Sequence, residues 1–327
     1  MNERELHEAL NRLPKSIEPP RDLWPDIQAR IGRRVWARRW YWVPLAAAAV
    51  FGAVMIGRAM RATAWDLTAL AGRPVVGTTP FAASARLRVG DWLQTDDTSR
   101  ALIAVGRIGQ VEVQPGTRLQ LVVARENEHR LALARGTIAA KVDAVPRLFF
   151  VETPAGTAID LGCAYTLETD SLGNGRLHVT GGQVEFQTGR RSSRVPLGAI
   201  MQIRPTTGPG IPYVEDAPAP LVRALVAFDF EKGGARATRN ALALARPQDA
   251  LSLWHLLQRV DATLRPMVYD RLAALVPPPA GVKRAAAIAL DSAALDAYWS
   301  KIHRIHFRRM ILRGVKEIDP RTGTSVR

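Results

Sequence analysis

The sequence predicts a mixed, multi-domain chain: a single transmembrane helix, an all-β domain of β-roll or sandwich type, and a small C-terminal α-helical domain. Three observations carry this reading. Residues 40–57 form an 18-residue run without a charge. From Ala85 to about Arg204, short β-type runs alternate with turn signals every 8–12 residues or so. Beyond a proline-rich bridge the apolar spacing becomes helical. The boundaries that follow are 1–39, a helical segment; 40–60, the span; 61–84, a linker; 85–205, the β domain; 206–220, the proline-rich linker; 221–302, the helical domain; and 303–327, a basic tail.

The first segment contains two helical pieces. Leu6, Leu10 and Leu13 share a face of the first. In the second, Asp22 is placed to cap, Pro25 falls in the first turn, and Leu23, Ile27 and Ile31 recur at helical spacing beside Trp24. A stripe this narrow cannot make its own core. It needs a covering surface, and either a membrane or a protein partner would serve, so Leu23, Trp24, Ile27 and Ile31 are the candidate contacts.

A hydrocarbon core about 30 Å thick needs roughly 20 apolar residues in helix. The run Trp40–Gly57 is at the short end, and Arg58 can snorkel while Met60 adds apolar length. Trp40, Tyr41 and Trp42 suit the headgroup level, with Arg38 and Arg39 just before them. Nine Lys and Arg precede the span, against Arg58, Arg61 and Arg73 in the 20 residues after it. The positive-inside rule then keeps the N-terminus cytoplasmic and exports everything past about residue 60. Ala62-Thr63-Ala64 has the small-x-small form of a signal-peptide cleavage site, but two arginines separate it from the apolar run, which favours an uncleaved anchor.

Within 85–205 the expected strands are 101–105, 110–114, 118–124, 130–134, 137–142, 148–153, 165–169, 175–180, 183–187 and 193–196. Gly109, Gly136 and Gly182 stand at strand starts, where glycine supplies positive φ at little steric cost. Helices are expected at 221–230, 235–246, 249–260, 265–276 and 292–303, the third capped by Asp249 with Leu253, Leu256, Leu257 and Val260 on its apolar face. Pro277, Pro278 and Pro279 stop the fourth. Residues 301–327 carry eight Lys and Arg against Glu317 and Asp319, much of the +15 net charge. Lys301–Arg313 is compatible with two arrangements, an amphipathic helix on the membrane or a disordered tail. An exported domain meets no nucleic acid, so envelope polyanions or anionic headgroups are the expected counter-charges.

Motifs for catalysis, cofactors and metals are absent. His7-Glu8 begins a zinc-protease pattern, but Asn11 stands where its second histidine should be. His303 and His306 read as part of a solvated cationic face rather than a metal clip. Asp91, Asp96, Asp97 and Asp160 fall where turns are expected. Cys163 is the single cysteine, so no intramolecular disulfide forms, and it reads as a buried thiol. The chain is therefore expected not to be an enzyme and to need no cofactor.

The most specific stretch is Phe150–Glu168 followed by Leu177–Phe186. It carries Thr153-Pro154, Asp160-Leu161-Gly162-Cys163, Tyr165, then Gly182 and Val184. With Leu87–Thr95 and Ser99–Ala101 as an opening segment, it resembles the FecR family of membrane sensors over about 85–205. Cys163 stands where that family usually has threonine. The resemblance implies a bacterial inner-membrane protein that regulates an extracytoplasmic-function sigma factor through its cytoplasmic segment. It also implies a periplasmic β domain that receives an envelope protein or ligand. The alternative is a membrane-anchored periplasmic scaffold or binding protein with no sigma-factor role.

Overall fold

The computed structural model describes residues 64–189 and 191–313. The chain divides into two compact units, Met1–Arg61 and Ala62–Arg327, and all described residues belong to the second. The expected span, the cytoplasmic segment and its contact residues Leu23, Trp24, Ile27 and Ile31 lie outside the described residues. Among the described residues no helix is long and apolar enough to cross a membrane.

A large mixed sheet makes up residues 65–214, its ladder running through three long strands, Glu128–Val142, Gly156–Thr169 and Gly175–Thr188. Each long strand changes its buried phase once. In the first, His129, Leu131 and Leu133 are buried, and then Ile138, Ala140 and Val142. In the second, Ala158 and Asp160 give way to Cys163, Tyr165 and Leu167. In the third, Leu177 and Val179 give way to Val184 and Phe186. Side chains alternate faces along a strand, so a switch between odd and even positions turns the other face inward. The switch falls each time at a glycine in the left-handed region: Gly136 at φ 98°, Gly162 at φ 87° and Gly182 at φ 63°.

On at least one side, the two halves of each long strand accordingly pair with different neighbours, while the second and third pair with each other throughout. The first half of Glu128–Val142 lies between Arg118–Arg125 and, in parallel, Phe149–Thr153; the second half lies between Gly109–Val113 and the end of Gly156–Thr169. The sheet thus folds over at the glycines and presents two arms to one apolar core, from Trp65 and Leu67 to Met201 and Ile203. The expected β domain is thus present as a large mixed sheet. The sequence reading broke two of these strands at Gly136 and Gly182; the chain instead runs through them, bent but still paired.

Other elements depart from expectation. The stretch 61–84 holds strands Trp65–Ala71, Val75–Val76 and Thr79–Pro80, because Trp65 and Leu67 alternate with polar Asp66 and Thr68 and bury completely. The proline-rich bridge adds short edge strands, Gly208–Pro209 and Tyr213–Val214, where missing amide donors are tolerated.

Six helices follow: Ala219–Phe230, Gly234–Leu244, Ala250–Arg259, Arg265–Leu275, Arg284–Ile288 and Ser292–Leu312. Leu253, Leu256, Leu257 and Val260 form a buried face as predicted, packing with Tyr298 and Trp299 in a second core that also takes Ile211 and Val214 from the bridge. Asp249 does not cap the third helix. Its carboxylate instead receives the Arg246 backbone N–H at 2.9 Å and the Arg246 guanidinium at 2.8 and 3.0 Å. The last helix runs nine residues past its predicted end at 303. His306 is buried within it, 2.6 Å from the Leu197 carbonyl, and burial lowers its pKa. His303, partly buried, packs against Trp299 and Phe307. Neither histidine therefore sits on a solvated face.

The helices are fastened to the sheet by Asp229, whose side chain is 1% exposed. It takes the Arg259 guanidinium at 3.0 Å and the Ile211 backbone N–H at 2.6 Å, and it also pairs with Arg191. Arg259 in turn donates to Ser193 Oγ at 2.6 Å.

The kinks carry a direct test. A Cβ at Gly182 would collide with the Gly162 carbonyl oxygen, whereas at Gly77 it would meet nothing within 4 Å although φ is 61°. Gly182→Ala should therefore cost at least about 2 kcal/mol in denaturant unfolding of the purified chain, against about 1 for Gly77→Ala. Equal losses would mean that strain at the kink is not what the glycine relieves.

Candidate ligand pocket at the strand kinks

Where the second and third long strands bend, the sheet leaves a cavity of about 440 Å³. Its volume comes from absent side chains. Gly162, Gly181 and Gly182 line one side; Ala104, Gly106 and Gly109, around the turn of the hairpin Arg100–Val105 and Gly109–Val113, line the other. Gly109 packs so closely on the Lys141 carbonyl that it has no room for a Cβ. The same glycines that turn the strands therefore keep the hollow open.

Cys163, 5% exposed, is among the lining residues and also belongs to the apolar core, and its thiol donates to Asp160 Oδ2 at 2.7 Å. Asp160 Oδ1 receives the Gly162 backbone N–H at 2.7 Å. Asp160 is 2% exposed, and its burial raises its pKa from the usual 3.8 to about 7. The hydrogen bonds from Cys163 and Gly162 pull the other way without overcoming burial. Burial, and then the negative charge of Asp160, push the Cys163 thiol well above its usual range. This is a protonated, hydrogen-bonded thiol rather than a thiolate nucleophile. One position along that face, the Tyr165 hydroxyl is buried without a hydrogen-bond partner among the described residues, and its ionisation is suppressed by burial.

The rim is charged. Arg107 is exposed, Lys141 half-buried and Asp143 exposed, and neither cation has an ion-pair partner among the described residues. Small apolar walls under a net cationic rim suit a molecule with an apolar body and an acidic group.

Of the residues singled out in the sequence, Gly162, Cys163 and Gly182 line the cavity, Asp160 is bonded to the first two, Leu161 is half-buried at the bend and Tyr165 is in the core. Thr153 and Pro154 do not: they form the tight turn into the second long strand, where Thr153 Oγ1 donates to the Gly156 carbonyl at 3.0 Å. Val184 is core. Sequence reasoning missed Arg107, Lys141 and the Ala104–Gly109 wall. Only Gly109 had been noted, as a strand start.

A larger hollow of about 710 Å³ between sheet and helices is lined by Arg191, Arg194, Arg259 and His255. Its cations are already engaged, Arg191 and Arg259 by Asp229 and Arg194 by Asp296. His255 accepts the Arg194 backbone N–H, and burial lowers its pKa to about 3, so the ring stays neutral. This hollow belongs to the joint. Among the described residues no group of three or more His, Cys, Asp and Glu side chains is placed to hold a metal ion.

No family model and no curated protein sequence matches the chain. Two crystal structures of a putative anti-sigma factor from Parabacteroides distasonis ATCC 8503, at 1.65 and 2.50 Å resolution, are similar to it at a TM-score of 0.34 and 16% identity. The likeness covers 41% of this chain and 64% and 63% of those, so the chain matches less than two thirds of their length. At that level of similarity a functional reading has to stand on this chain's own residues.

Asp160 makes a pH prediction. Its folded pKa of about 7 lies above the unfolded value near 3.8, so the folded chain binds that proton more tightly. Its contribution to stability is complete below pH ~4 and disappears as pH rises through 7. Relative to Asp160→Asn, the native chain should lose about 2–4 kcal/mol between pH 4 and 8, read as the difference between the two unfolding free energies. A difference that does not vary with pH would show that the carboxyl is not held in this environment.

Proposed function

We propose that the chain is a single-pass bacterial inner-membrane signal-transduction protein, a FecR-like regulator of an extracytoplasmic-function sigma factor. Its cavity at the strand kinks receives an envelope signal, either a small amphiphile with an acidic group or such a group on an envelope protein. The observation that carries this reading is that Gly162, Cys163 and Gly182, residues of the FecR-like stretch, line one cavity with a cationic rim, with Asp160 hydrogen-bonded to Gly162 and Cys163 beside it.

In this reading the N-terminus is cytoplasmic and the β and helical domains are periplasmic. Trp40–Gly57 passes a rotation, a tilt or a change of association to residues 1–39. Leu23, Trp24, Ile27 and Ile31 contact the sigma factor. Catalysis is not part of the proposal, because the one thiol near the cavity is held protonated.

A second reading, a membrane-anchored periplasmic scaffold or binding protein, is favoured by one feature. Residues 1–39 contain no cysteine and a single histidine with which to build a zinc-stabilised domain.

The two readings separate on the cytoplasmic residues. Leu23→Asp combined with Ile27→Asp should change the transcripts of one sigma regulon and abolish co-purification of the sigma factor, at unchanged abundance of the chain. Replacing residues 1–31 by an unrelated basic sequence should have the same effect. Unaltered transcripts in both variants would leave the scaffold.

A further inference from the structure

The last helix presents two opposite faces. One holds Ile302, His306 and Met310, all buried against the rest of the unit, with His306 bonded to the Leu197 carbonyl and Met310 filling the space over Gly198. At 100° per residue, Arg304, Ile305, Arg308, Ile311 and Leu312 fall within an arc of about 120° on the other side. All five are exposed: Ile305 by 46%, Ile311 by 39% and Leu312 by 79%, with both arginines open to solvent. Three large aliphatic side chains and two cations thus share one outward stripe.

Charge identifies what covers it. The only acidic residue in Ser292–Leu312 is Asp296, which lies off this arc and is paired with Arg194. Arg304 and Arg308 have no ion-pair partner among the described residues, whereas Arg309 and Arg313, outside the stripe, are both held by Asp216. A second copy of the same stripe would set arginine against arginine. An anionic lipid surface matches both components, since headgroup phosphates pair with the guanidinium groups while the aliphatic side chains enter the acyl boundary.

We propose that the outward face of Ser292–Leu312 is a membrane-docking surface for anionic phospholipid, with Arg304 and Arg308 on phosphates and Ile305, Ile311 and Leu312 in the interface. It rests on the span reading for bringing lipid within reach, and not on any sigma-factor role. The helix is pinned to the β domain through His306 and Met310, so docking would fix the orientation of the whole exported unit on the bilayer.

The test uses the full chain carrying Leu312→Cys labelled with an environment-sensitive fluorophore, the buried Cys163 of the unsubstituted chain serving as the unlabelled control. The chain is reconstituted in vesicles of phosphatidylglycerol and phosphatidylethanolamine, and separately in phosphatidylcholine. In the anionic vesicles the emission should shift to shorter wavelength and be quenched by spin-labelled lipid. In phosphatidylcholine, or with Arg304→Glu and Arg308→Glu, it should return to the position seen in water. Chain that floats with anionic vesicles but keeps a water-like emission overturns the docking proposal and leaves the span reading intact. A blue shift without lipid quenching assigns the stripe to protein contact, and an equal shift in phosphatidylcholine removes the role of charge; either result also overturns it. Chain that fails to float defeats both the span reading and this one.

Discussion

The fold of the described residues depends on three residues that can hold a positive φ inside a paired strand. Gly136, Gly162 and Gly182 let three long strands turn a new face inward without breaking their ladders. Any L-residue with a side chain at Gly182 would meet the backbone of Gly162, so the bends are locked against one another rather than merely permitted. Because the strands stay continuous, two arms of sheet share one core, with no disulfide to close it. The pocket is the by-product of that geometry. Glycines that turn a strand leave space beside it, and here that space is lined by Cys163, whose thiol is bonded to buried Asp160.

The second constraint is the Asp229 joint. A buried carboxylate surrounded by Arg191, Arg259 and the Ile211 amide couples a β strand, the proline-rich bridge and two helices in one group. Burial lowers the Arg259 pKa to about 10, and the charge of Asp229 keeps it from falling further. Such a pair adds little net stability over apolar packing, but stranding one partner costs roughly 3–5 kcal/mol. Its effect is therefore specificity of docking. Together with His306 on Leu197 and Met310 on Gly198, it sets where the last helix lies and which face that helix turns outward.

Much of this was legible in the sequence, and the failures have physical causes. Period-two alternation marked the strands from Arg100 to Pro196, but a glycine that resets the alternation looks the same as one that ends a strand, so continuity through Gly136 and Gly182 was lost. Trp65 and Leu67 were hidden because only two large apolar residues alternate, followed by alanines, before glycine and proline intervene. Asp249 stood where a cap belongs, yet a neighbouring arginine offered a stronger charged partner. His306 looked solvated among four arginines in Arg304–Arg313, and only the fold places the Leu197 carbonyl over it. For the site, Asp160, Gly162, Cys163 and Gly182 stood out by their pattern. Arg107 and Lys141 could not, because what makes them relevant is proximity across the sheet rather than spacing along the chain.

The central claim is that the hollow at the kinks controls an output on the far side of a membrane. Ala104 lines that hollow and is exposed to it, so a tryptophan there should fill the space while the core and the long strands remain. The most direct measurement is the transcriptome of a strain carrying Ala104→Trp, beside the parent strain and one lacking the chain. The account predicts that the substitution, at parental protein abundance, alters the same transcripts that loss of the chain alters. A transcriptome identical to the parent's, while loss of the chain changes a defined set, would contradict it.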